Sequence, residues 1–143
     1  MAWETPKTWS AAVFTSADMN TYVSDNLDFL KANIALEAAV ALTIDTGAVA
    51  KTKAYHTIIV EGGAGSGADD LTTCTGGAEG EMLILKATTT GANDTVTVKN
   101  DTGADTFILA GGVDFDLAHV DDRIVLLHNG TEWVELFRSD NSP

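Results

Sequence analysis

Ile124-Val125-Leu126-Leu127-His128-Asn129-Gly130-Thr131-Glu132-Trp133-Val134-Glu135-Leu136 decides the reading of the fold. Four apolar residues run up to an Asn-Gly pair, and a second run of apolar and aromatic residues leaves it. Asn and Gly both tolerate the positive φ of a tight turn, so the first run is expected to fold back onto the second as a hairpin. The same alternation of short branched runs and turn residues extends back to residue 41. Candidate strands fall at 41–44, 54–61, 81–87, 95–100, 106–109, 122–128 and 132–138, separated by Asp45-Thr46-Gly47, Gly62 to Gly67, Gly76-Gly77, Thr90 to Asp94, Thr102-Gly103 and Gly111-Gly112. Many short strands at this spacing, with no room for crossover helices, predict a compact antiparallel β-sandwich or barrel, jelly-roll-like, over 41–143.

Upstream the texture changes. From Thr15 or Ser16, either of which can cap a helix, Met19, Val23, Leu27, Leu30 and Ile34 recur every three or four residues. Tyr22 and Phe29 widen the stripe and several alanines favour continuation. The spacing predicts one amphipathic α-helix over 15–40. Asn26 and Asn33, seven apart, could fix register in a helix bundle; water-facing side chains are the preferred reading, because fewer than three heptads are available. Residues 1–14 show neither helical period nor strict alternation, yet carry Trp3, Trp9 and Phe14. Exposed tryptophans are costly, so this stretch reads as an extended arm docking on a neighbouring subunit, the alternative being an arm folded over its own domain.

Charge narrows the partners. The 143 residues hold 8 basic and 21 acidic side chains, net −13. Residues 1–60 carry 4 and 6, net −2; residues 61–143 carry 4 and 15, net −11. An acidic field disfavours nucleic acid and anionic membrane. The single cysteine, Cys74, excludes a disulfide framework within one chain, and no apolar run reaches membrane-spanning length. The start lacks a basic signal-peptide head.

Possible chemical motifs are thin. Glu61-Gly62-Gly63-Ala64-Gly65-Ser66-Gly67 looks like a phosphate loop but lacks the lysine and the following helix, and reads as a surface loop. Asp69-Asp70, Asp114 with Asp116, and Asp121-Asp122 lack calcium-loop spacing and read as solvated carboxylates, with Asp121-Asp122 setting the turn before the Ile124 strand. His56, His119 and His128 have no Glu or Cys at ligand spacing and no nucleophile-elbow sequence nearby. The expectation is therefore no catalytic residues, no metal and no cofactor: not an enzyme. Asn129-Gly130-Thr131 also matches a glycosylation acceptor but reads as a turn. Trp133, by alternation, shares a strand face with Glu135 and Phe137, opposite Val134 and Leu136. Both faces of that strand are partly apolar, which favours a subunit contact over a sugar-stacking platform.

Two segments resemble tailed-bacteriophage virion structural proteins. Thr8-Trp9-Ser10, Phe14-Thr15-Ser16-Ala17-Asp18-Met19-Asn20 and Asn26-Leu27-Asp28-Phe29-Leu30 are similar to the openings of proteins described as tail fibres or minor structural proteins. Leu109-Ala110-Gly111-Gly112 followed by Asp121 to Ser139 is similar to the end of short β-rich fibre and capsid-associated domains. The resemblance implies a non-enzymatic homo-oligomer, most simply a homotrimer, located on the virion after synthesis in the host cytoplasm. Its partners would be copies of itself and the major capsid protein or tail proteins. The absence of a long shaft favours a capsid decoration (cement) protein; a short tail-fibre, collar or baseplate component, with or without a glycan-binding tip, is the alternative. Expected contact residues are Trp3, Trp9, Phe14, Met19, Tyr22, Val23, Leu27, Leu30 and Trp133, and the expected organisation is arm 1–14, helix 15–40 and β domain 41–143.

Overall fold

The computed structural model describes residues 38–88 and 94–141, together with Leu27. The chain divides into Met1–Glu37 and Ala38–Pro143, and the second unit is described by itself. Its strands are β1 (Val40–Thr43), β2 (Ala48–Ala50), β3 (Tyr55–Ile59), β4 (Ala68–Leu71), β5 (Thr73–Thr75), β6 (Met82–Ala87), β7 (Thr95–Val98), β8 (Phe107–Ile108), β9 (Phe115–Leu117), β10 (Arg123–His128) and β11 (Trp133–Ser139).

They form a three-turn β-solenoid. β1, β3 and β6 stack in parallel, as do β2 with β5 and β4 with β7. Equivalent positions lie 25 to 29 residues apart (Ala48↔Thr73, Ala68↔Thr95, Tyr55↔Ile84), except in the shorter first turn, where Val40 meets His56. The stack is closed at its other end by reversal: β9 runs antiparallel on β7, β10 antiparallel on β6, and β11 antiparallel on β10. The largest sheet has the order β1-β3-β6-β10-β11-β8.

This overturns the expected sandwich or barrel. A period of two places strands without saying whether they pair parallel or antiparallel. Here the chain returns to the same direction by turning corners through short strands, so parallel pairing needs no crossover helix. Nor does the described β unit contain an α-helix; Ala110–Gly112 form a single 3-10 turn, and Val40 already belongs to β1. The rest of the helix expected over 15–40 lies outside the described residues, apart from Leu27, which has helical backbone and is 59% exposed. The arm 1–14 lies outside them altogether.

All seven expected strands occur within a residue or two, and the hairpin forms as β10–β11. Its loop spans Asn129 to Glu132: Asn129 N donates to Glu132 O (2.9 Å), while the Asn129 side-chain oxygen accepts from Thr131 N and Glu132 N. β2, β4, β5 and β9 went unread. Each has three or four residues, and β4 carries Asp69-Asp70 beside a glycine-rich loop, so none presents a strand-like run.

Inward-facing residues of all three sheets make one core, including Ile44, Ile58, Leu71, Leu83, Leu85, Phe107, Leu117, Ile124, Leu126 and Trp133. Trp133 is fully buried, and its indole N–H donates to Cys74 O at 2.7 Å. His128 packs edge-on against it, with ring centroids 4.7 Å apart. Gly77 fits where a side chain could not: a Cβ there would lie 2.5 Å from the Trp133 ring and 2.6 Å from that of His128. Cys74, wholly buried, has its thiol pKa pushed up to about 12 by desolvation.

His56 is the other buried histidine. Its Nδ1 lies 3.0 Å from Val40 O, tying the first turn to the second, and its Nε2 lies 3.0 Å from Lys53 O, 3.1 Å from Lys53 N and 3.3 Å from Thr52 N. Burial pulls its pKa below the ordinary histidine value, against the opposing effect of the neighbouring carbonyls. A depressed histidine favours the native state when neutral, so its contribution is complete above about pH 6.5 and is lost as pH falls through the folded-state pKa. Urea melts should therefore show His56→Gln less stable than wild type at pH 7.5, with the gap narrowing at pH 5; a constant gap would contradict this role. Gly77→Ala should cost about 2 kcal/mol in the same melts, because two buried rings must move to admit one methyl group.

Candidate functional site

The sequence-derived sites resolve differently in the fold. The glycine loop is occupied from within: Gly65 N and Gly67 N donate to the buried Asp94 carboxylate at 2.8 and 3.1 Å. Most of the aspartates act as acceptors for the chain's own donors. Asp69 receives Glu61 N, Asp114 receives Asn100 N and pairs with Lys99, and Asp116 receives the Thr97 hydroxyl. Asp122 is fully buried and accepts from Ala118 N, His119 N and Asn141 N, so it does set the turn before β10 and also pins the C-terminal segment.

The three histidines have separate surroundings: His56 in the first corner, His119 beside Asp121, His128 against Trp133. Nδ1 of His128 accepts from Gly130 N (3.2 Å), and its Nε2 lies 3.6 Å from an Asp105 carboxylate oxygen. Among the described residues, no three His, Cys, Asp or Glu side chains gather as a metal-binding group, and no helix is long and apolar enough to cross a membrane.

Of the expected contact residues, Trp3, Trp9, Phe14, Met19, Tyr22, Val23 and Leu30 lie outside the described residues. Trp133 is corrected. Its ring is inside the chain and hydrogen-bonded there, so it offers no face to a subunit or a sugar. A β-bulge further along the strand changes which residues share its face. Val125 pairs with Phe137 but Leu126 pairs with Glu135, leaving Leu136 as an extra residue. Trp133, Glu135 and Arg138 consequently face inward, while Val134 and Phe137 face outward, with Leu136 displaced to the surface beside them. Simple alternation had put Phe137 with Trp133.

A partly buried ion pair spans the bulge. Arg138 Nε donates to Glu135 at 2.6 Å, with a second bond between Arg138 NH2 and the same carboxylate; Glu135 also accepts from Ala110 N (2.8 Å). The Arg138 guanidinium lies 4.8 Å from the centre of the Phe115 ring. Burial raises the Glu135 pKa, but the Arg138 and Ala110 hydrogen bonds and the guanidinium charge outweigh it, holding the carboxyl below its ordinary value.

What the bulge exposes is the candidate site, the outer face of the six-stranded sheet. Cross-strand register lines up Tyr55–Ile84–Val125–Phe137 in one row and Met82–Leu127–Val134–Ile108 in the next. Both rows are wholly apolar or aromatic. Phe137 is 61% exposed, Leu136 51% and Met82 43%. A third row, Thr57–Lys86–Arg123–Ser139, is polar and places two cations side by side. Parallel and mixed sheets usually cover both faces, so an apolar outer surface of this breadth is a candidate contact surface. Sequence reading singled out this strand for its apolar character on both faces and named Trp133 on it, whereas the exposed apolar side chains are Leu136 and Phe137.

Comparison of the chain with protein-family models, curated proteins and solved structures finds no match.

Glu135→Gln should lower stability by about 2 kcal/mol, since Arg138 then sits half-buried without a full counter-charge. The depressed carboxyl contributes fully above about pH 4.5 and loses that contribution as pH falls through its folded-state value. Chemical melts at pH 7 and pH 3.5 should show the wild-type advantage shrinking at the lower pH.

Proposed function

We propose that this chain is a structural subunit of a tailed-phage virion that works without catalysis, as a decoration protein burying surface against copies of itself and against the shell. The observation that carries the reading is the outer sheet face, two apolar rows bearing exposed Phe137, Leu136 and Met82 on a chain otherwise rich in surface charge. The resemblance of the segments around Trp9-Ser10 and Asp121 to Ser139 to virion proteins supports the same reading. A protein that binds only the assembled lattice stabilises it by mass action, in proportion to RT ln(1 + [L]/Kd), and needs no reactive group. Its acidic field would limit stray contact with packaged nucleic acid.

One observation favours a second reading, a short tail-fibre, collar or baseplate component. β1 ends the six-stranded sheet with no further strand paired to it among the described residues, and such an edge accepts another chain. A glycan-binding tip built on Trp133 is not part of either reading.

Gold-labelled antibody against the purified protein, applied to virions of the phage whose genome carries this gene, should decorate the capsid surface. Label confined to the tail would select the second reading, and particles without label would overturn both.

A further inference from the structure

We propose that two copies of this chain pair through the outer face of the six-stranded sheet about a twofold axis, with Lys86 and Arg123 of each copy lying over Glu79 and Glu132 of the other. The inference does not depend on the virion reading; a pair could form with no capsid, and a decoration protein could bind as a monomer.

The first argument is area. Phe137, Leu136 and Met82, together with half-buried Tyr55, Ile84, Ile108, Leu127 and Val134 (Val125, between them, is only 6% exposed), expose apolar surface on the order of 400 Å² per copy, at the scale of the largest patch a monomer carries. Two such faces with their polar rims reach about 1,000 Å², the lower bound for a specific interface.

The second argument is charge, and it selects the partner. The face has a cationic end and an acidic end. Lys86 and Arg123 are direct cross-strand neighbours, an arrangement in which like charges repel. The Arg123 guanidinium is spent on two carbonyls, Val120 O and Asp122 O, and neither cation meets a carboxylate among the described residues. At the opposite end, Glu132 immediately precedes β11 and Glu79 lies three residues before β6. Glu79 sits beside the hairpin turn, since a Cβ on Gly130 would fall 3.8 Å from the Glu79 Cβ. Among the described residues, the Glu132 carboxylate bonds Gly103 N and the Asn129 amide and meets no cation, and Glu79 has no cation beside it.

The third argument is the geometry of the rows. Successive rows are two residues apart, about 7 Å along the strands. A dyad between the Ile84–Val125 and Met82–Leu127 rows sets each of these rows of one copy on the other row of its partner, and carries the Lys86–Arg123 row one step past Met82–Leu127, to the hairpin end where Glu79 and Glu132 lie. Apolar rows then meet apolar rows, and each cation–acid contact occurs twice. A patch holding both signs at opposite ends is complementary to itself, as an isologous contact requires. A threefold arrangement would instead have to set this face against a different surface.

The test is a charge exchange in the full-length chain, read as solution mass by sedimentation equilibrium at low salt. Wild type should sediment at twice the 15.0 kDa chain mass. Lys86→Glu and Glu79→Lys should each weaken pairing by about ten-fold, and the double variant should recover most of that loss, because the reversed charges again face each other. Phe137→Asp should give a monomer with unchanged circular dichroism. A wild-type monomer or trimer at about 100 µM would overturn the proposal. So would single variants that pair normally, or a double variant as weak as the singles.

Discussion

The hydrogen bond from the Trp133 indole to Cys74 O holds the two halves of the β unit together. Trp133 opens the last strand of the antiparallel closure, and Cys74 lies in the second turn of the parallel stack. Around this bond runs a set of backbone contacts: Cys74 N to Asp105 O, Asp105 N to Thr131 O, and Trp133 N to Thr106 O. Asp105 adopts a left-handed backbone (φ 59°) to serve both neighbours. A short parallel stack has exposed ends and few local contacts, so its stability depends on being closed. Here the closure is anchored by one large side chain that leaves no polar atom of its own unsatisfied.

The elements legible in the sequence were those whose local signals were strong. The Asn129-Gly130 turn and the runs at Ile124 to Leu127 and Met82 to Ala87 fold as strands because branched and long apolar side chains fit a pleated surface, and they would do so in many topologies. The stacking was not legible. His56 and Leu85 occupy equivalent inward positions on neighbouring strands, as do Asp69 and Val96, so the repeat is geometric and leaves no repeated residue. Gly77 gave no signal either, since its role comes from Trp133 and His128, more than fifty residues away in the chain. The glycine loop was read as a surface loop; the Asp94 carboxylate among its amides was not legible, since it lies 27 to 29 positions distant.

The candidate site was half legible. Apolar character on both sides of the Trp133 strand is visible in the sequence, and in the fold one side is core and the other carries exposed Leu136 and Phe137. Which residue serves which side is decided by the bulge, and the bulge is spanned by the inward Glu135–Arg138 pair. Two charged residues three apart in a strand would be assigned to opposite faces by simple alternation. The surface that supports the structural reading thus depends on a bulge that only the folded chain reveals.

The bulge also separates the history of the surface from that of the core. Between Glu135 and Arg138 the outer side of β11 accommodates two side chains where the inner side counts one step. Loss of either Leu136 or Phe137 would leave Trp133, Glu135 and Arg138 in an ordinary alternating strand, still facing the interior. Insertions and deletions are usually tolerated in loops, but here a strand has a position where length can vary without shifting the inward register. Descendants of this chain could therefore change what the sheet recognises by adding or dropping a residue in mid-strand, while inheriting the same interior.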